Sequence, residues 1–166
     1  MTFGIKSKKG NAVIDGITVI VILFCFATIS IVGYFAFSEI YADMSVDADL
    51  HPEALAVTQD MYDGHSNLMD NLILMAFVLF TLFTILSAFM LDTHPIFFII
   101  SVILLVAVFV VAGLMANVFD DVMSESTLAP YANEFVYTSW IMGHLLEVSI
   151  AIVFMVTIAM FIKFKM

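Results

Sequence analysis

The chain has no arginine, one cysteine, three prolines and one tryptophan, and only 12% of its 166 residues are charged. Each scarcity excludes something. A lone Cys25 cannot form an intramolecular disulfide or the CxxC pair of a membrane thiol oxidoreductase. Without Gly-rich phosphate loops, a nucleophile elbow or an HExxH motif, catalysis is not expected. A net charge of −10 means little until the charges are assigned to sides of a bilayer, and no nucleic acid is expected as a partner. What the chain has in excess is apolar surface: 63% of residues are hydrophobic, 17 are Phe and 12 are Met, with a mean hydropathy of +1.13. A soluble core of this size has no use for that many, whereas helices facing lipid absorb them. The composition therefore predicts an all-α, polytopic membrane protein.

Four segments reach the roughly 30 Å of a hydrocarbon core at about 1.5 Å per residue. The runs Ile17 to Ser38, Asn71 to Leu91 and Pro95 to Phe119 carry no charge. The fourth, Val148 to Ile162, has 15 residues and reaches only about 22 Å. A full span ending at Lys163 must begin near Gly143, which draws His144 and Glu147 inside the membrane boundary. Residues 1–166 are thus expected to form a single four-helix transmembrane bundle, two hairpins with spans at about 12–38, 68–91, 95–119 and 143–162. The outer loops are expected at about 39–67 and 120–142, the first holding a short interfacial helix that starts at His51-Pro52-Glu53. Tyr137 and Trp140 suit an aromatic belt at headgroup level.

The basic residues are Lys6, Lys8, Lys9, Lys163 and Lys165, all at the chain ends. The positive-inside rule places both termini on the cytoplasmic side or its equivalent. The turn Leu91-Asp92-Thr93-His94-Pro95 lies on that side too, with Asp92 or Thr93 as N-cap of the third helix. Of the 15 acids, 12 fall between Glu39 and Asp70 or between Asp120 and Glu134, so the other side is acidic.

A shift of 78 residues aligns Ile40-Tyr41-Ala42-Asp43 with Val118-Phe119-Asp120-Asp121, and a shift of 77 aligns Asn67-Leu68-Met69-Asp70 with His144-Leu145-Leu146-Glu147. The pattern predicts a parallel internal repeat of two hairpins about an axis along the membrane normal. Asp70 and Glu147 would then be equivalent acids, each with a polar residue, Asn67 or His144, three positions earlier on one helix face. These four are the intramembrane polar candidates, because ionisable groups in spans are costly and often functional. They can bind a cation, share a proton, or lie hydrated at the interface and set helix depth. His144 and Glu147 are also spaced to give two metal ligands, with Asp70 or Asp120 as a third. The scatter of His51, His65 and His94 argues against a metal site, and no cofactor is expected.

Lys8-Lys9-Gly10-Asn11-Ala12-Val13-Ile14-Asp15, leading into an unbroken apolar run, resembles the signal of type IV pilins and their archaeal relatives, in which a basic run ends in Gly and an acid stands fifth after cleavage. Asp15 holds that position, although Glu is usual there and pilins have one span. The competing reading is that Lys8 or Lys9 neutralises Asp15 at the interface. In size and topology the chain resembles the small multi-span proteins of the internal membrane of tailless bacterial viruses. That resemblance implies a non-enzymatic structural or assembly role, packing with itself as a homo-oligomer or within a larger membrane or virion assembly. Two alternatives stand beside it: a proton or cation pathway through Asp70, His144 and Glu147, and an acidic module binding cations or basic partners. The pathway needs a polar trail, for which Thr81, Thr84, Ser87, Ser101 and Asn117 are the internal candidates.

Overall fold

The computed structural model describes residues 12–46, 51–90 and 95–165, and they are almost entirely helical. The order is α1 (Ala12–Val46), α2 (Pro52–Met90), α3 (Pro95–Met123), α4 (Ala129–Ala132), α5 (Val136–Gly143) and α6 (Leu145–Lys165). Pro52, Pro95 and Pro130 each stand in the first turn of a helix, where the missing N–H costs nothing. Long runs of Leu, Ile, Val, Phe and Ala between these breaks leave the backbone no competing partner, and helix is the outcome.

Three helices are long and apolar enough to cross a membrane, and a fourth crossing is available if α5 and α6, bent by 72° at their junction, count as one. The first two exceed the expected spans. α1 has 35 residues and α2 has 39, so they extend about 52 and 58 Å, well past a hydrocarbon core. The expected interfacial helix at His51-Pro52-Glu53 is not a separate element, because α2 begins at Pro52 and continues without a break to Met90. Its polar first part, helical through Gly64 without a break, simply prolongs the apolar part. Lys6, Lys8, Lys9, Asp92 and Thr93 lie outside the described residues, and of Asp15, Lys163 and Lys165 only the helical backbone is described.

α1 packs mainly on α2 and α3, and α6 packs on the same two helices, giving a ring in the order α1, α2, α6, α3. The expected repeat does not fit this ring. A two-fold axis along the helices that exchanged α1 with α3 and α2 with α6 would set each exchanged pair across the centre, yet here they are neighbours. The aligned tetrapeptides also face differently: Asn67 and Leu68 are exposed and Asp70 buried, whereas His144 and Glu147 are exposed and Leu145 buried. Apolar helices of similar composition matched in sequence without matching in orientation.

The core joins all the helices except the far part of α6. Ala27 and Ile31 on α1 and Ala112 on the neighbouring α3 are completely buried, the small side chains letting helices approach closely. Towards the acidic end the core is finished by Phe135, Met142 and Leu145. α4 touches α1, and α5 touches α2, α3 and α6, so this short segment lies across the acidic end of the ring and closes it. A second small cluster, Val156 and Ala159 with Ile85 and Ile152, holds α6 to α2 farther along.

Candidate functional site

The acidic end is built around the start of α5. A helix leaves its first N–H groups without intrahelical acceptors, and a side chain at the N-cap normally takes one of them. Here the N-cap is Phe135, which has no side-chain acceptor. The acceptor comes from another helix instead. Asp70, at the middle of α2, presents its carboxylate to the open end of α5. Its Oδ1 accepts from the Thr138 backbone N–H at 2.7 Å and from the Thr138 hydroxyl at 2.7 Å, and its Oδ2 accepts from the Tyr137 N–H at 3.0 Å.

Both partners are buried, Asp70 at 5% exposure and Thr138 at 0%. A carboxylate withdrawn from water is costly unless its lone pairs are taken, and three donors together with the positive end of the α5 dipole provide that compensation. The same contact satisfies two orphan N–H groups of α5. Ser139 adds a further tie by donating to the Ala132 carbonyl at 2.8 Å, which fastens α5 to α4.

Beside this cap stands an aromatic cluster. Tyr34 of α1, 5% exposed, stacks on Tyr62 at 5.1 Å and on His65 at 5.8 Å, both from α2. Its edge contacts are Tyr131 of α4 at 5.9 Å and Phe135 at 5.7 Å. Tyr41 stacks on the same Tyr62 at 5.2 Å, and Phe37 tilts against Tyr62 and His65. The Tyr34 hydroxyl faces those of Tyr62 and the buried Ser66. One ring of α1 therefore meets α2, α4 and the N-cap of α5 at once.

Of the four intramembrane candidates, only Asp70 is buried. Asn67 is exposed, and its carbonyl accepts from the Asn71 amide at 2.7 Å. Glu147, which counting back from Lys163 draws inside the membrane boundary, is exposed in the first turn of α6 and faces outward, away from the bundle interior. The cause is the break at His144, which turns α6 by 72° from α5 and points Leu145, not Glu147, into the core. His144 is exposed as well. Its ring stacks on Trp140 at 5.0 Å, and its Nδ1–H donates to the Trp140 carbonyl at 3.0 Å. Asp70, His144 and Glu147 are therefore not brought together as one polar group. Among the described residues no three His, Cys, Asp or Glu side chains come together as metal ligands. Thr84, Ser87 and Asn117 are exposed on the outside of the bundle, where they line no internal trail, and Ser101 has no described side chain.

Sequence reasoning singled out Asp70 but missed Thr138, Tyr137 and the Tyr34 cluster. Two signals were available. Phe135 cannot cap a helix, so the α5 donors needed a distant acceptor, and Tyr34, Phe37 and Tyr41 share one face of α1 by helical spacing, as Tyr62 and His65 do on α2. Comparisons with protein-family models, with characterised proteins and with solved structures found no match for this chain.

Proposed function

We propose that the protein is a non-enzymatic structural or assembly component of a membrane, packing against copies of itself or within a larger membrane complex, with an internal virion membrane as one such setting. In this reading the chain crosses the bilayer four times as two hairpins, α1–α2 and α3–α6, with both termini on the cytoplasmic or equivalent side. The lysines at the chain ends support that orientation. The internal repeat is not part of the reading.

The observation that carries it is the outward face of α2. Leu68, Leu72, Met75, Leu79, Leu82 and Leu86 repeat at alternating spacings of four and three, and all six are exposed. Between Leu68 and Leu86 the helix has six leucines, and five of them stand on this stripe. Spacing alone decides little, since the outer face of any helix in a left-handed bundle follows it. The concentration of leucine does decide, because a heptad seam of leucine interdigitates with a partner helix at a shallow crossing angle. α2 is also the least covered of the long helices, with 11% of its apolar window buried against 33% for α1 and 22% for α3.

The pathway alternative needs Asp70 free to exchange a proton or ion, whereas its oxygens are engaged by α5. The acidic-module alternative has the exposed carboxylates Asp120, Asp121 and Glu125 in its favour, and ordinary hydration explains those equally well. Isolation from its native membrane or particle in mild detergent separates the readings. A structural component comes out with many copies per assembly, and a transporter as a small particle of one or a few copies that dissipates a proton gradient when placed in vesicles.

A further inference from the structure

We propose that the elbow between α5 and α6 is a membrane-contact surface, with α5 lying in the headgroup layer and the Trp140–His144 stack facing zwitterionic phospholipid headgroups. The inference rests on the chain being embedded in a bilayer and not on its self-association.

Geometry comes first. α6 has 21 residues, and its uncharged run from Val148 to Ile162 gives about 22 Å of apolar helix, a crossing of a locally thinned bilayer that α5 completes at headgroup level. α5 meets it at 72°, so with α6 near the normal, α5 lies within about 20° of the bilayer plane. Its two faces differ. Thr138, Ile141 and Met142 are buried against the bundle, while Val136, Tyr137 and Trp140 are 65%, 49% and 56% exposed. A helix in the plane with one face on the protein and exposed aromatics on the other has the form of an interfacial element.

Chemistry then sets the level. Trp140 and His144 form a plate, the rings 20° from parallel and the imidazole tied to the Trp140 carbonyl, so the indole is held in place. No described residue accepts from the indole N–H, which leaves that donor for a phosphoester or ester oxygen, the usual position of Trp at a membrane boundary. Below the plate, the outward side of α6 runs Ile150, Phe154, Ile158 and Phe161, all exposed and apolar. Glu147 heads this same side by helical spacing. An ionised carboxylate is not tolerated in hydrocarbon, so the hydrocarbon boundary falls just beneath Glu147, and the Trp140–His144 plate sits above it among the headgroups. The neighbouring exposed acids Asp120, Asp121 and Glu125 repel anionic headgroups, which selects the zwitterionic class.

Trp140 is the sole tryptophan, so its emission reports this position alone. The full-length protein is placed in phosphatidylcholine vesicles that carry a nitroxide on the headgroup, near the glycerol backbone, or near the bilayer midplane. Emission should be lost most with the first two labels and least with the third, unchanged as lipid is added to dilute the copies. At equal mole fraction, headgroup-labelled zwitterionic lipid should quench more than headgroup-labelled anionic lipid. Strongest quenching from the midplane would put α5 inside the hydrocarbon and overturn the proposal. So would emission that no lipid label reaches, which would mean that water, a second copy or another chain covers this face. Equal or stronger quenching by the anionic lipid would overturn the choice of headgroup.

Discussion

Asp70 and Thr138 stand 68 residues apart in the chain and meet through two 2.7 Å hydrogen bonds, so that a side chain of α2 caps a helix made from the far end of the sequence. The contact fixes α5 across the acidic end of the bundle. It also makes α5 depend on tertiary structure, since eight residues are too few to hold a helix alone.

Removal of the Asp70 carboxylate should therefore be costly. Asp70→Ala leaves two backbone donors and the Thr138 hydroxyl buried without an acceptor, and we expect a loss of about 3 kcal/mol. Asp70→Asn keeps one acceptor oxygen but turns an N–H₂ towards a backbone donor, and about half that loss should follow. Thr138→Val removes a single bond for about 1 kcal/mol. Unfolding in detergent measures each, and a double-mutant cycle should give a coupling near 1 kcal/mol between the two positions. Additive losses would mean that the bond from the Thr138 hydroxyl carries no energy.

Tyr34 should show a split between ring and hydroxyl. Tyr34→Phe keeps the stacking on Tyr62 and His65 and should cost about 1 kcal/mol for the hydroxyl contacts. Tyr34→Ala empties a site shared by α1, α2, α4 and the α5 N-cap and should cost about 3 kcal/mol or more. Thermal unfolding of the two variants in one detergent tests the ordering.

Gly143 sits where α5 ends, but the bend does not need a glycine. Its φ is not positive, and a Cβ placed there meets no atom within 4 Å. Gly143→Ala should leave the fold intact and change stability by less than about 1 kcal/mol, in the favourable direction, by restricting the unfolded chain. A large loss in the same unfolding assay would show that the junction requires freedom that an alanine lacks.

Orientation is open to labelling. In a Cys25→Ser background, an impermeant maleimide applied from the outer face should modify a cysteine at the exposed Ser126 and spare one at Lys8. The reverse pattern would invert the topology drawn from the lysines.

The all-helical class was legible because it depends on composition and run length, which are local quantities. Helix extent was less so: residues 39–46 and 52–66, with their acids, read as loop, yet α1 and α2 continue through them, since each helix supports the polar turns of the other along their shared face. Asp70 announced itself as a carboxylate at the head of an apolar run. Its partner did not, because a cap made between α2 and α5 leaves no spacing in the sequence. The orientation of Glu147 was lost at His144, where a single non-helical residue rotates everything after it, an effect that residue counting from Lys163 does not register.

Self-packing through α2 is the central claim, and cysteine cross-linking along that helix in intact membranes tests it most directly. With Cys25 replaced by serine, single cysteines are placed at Leu72, Met75, Leu79 and Leu82 on the stripe and at Ile73 and Ile85, which pack inward. Oxidation should give disulfide-linked dimers at the four stripe positions, with yields that rise and fall with the heptad and vanish at Ile73 and Ile85. Dimer yields that are equally low at all six positions, or that fall to nothing when the membranes are diluted with added lipid, would contradict the account.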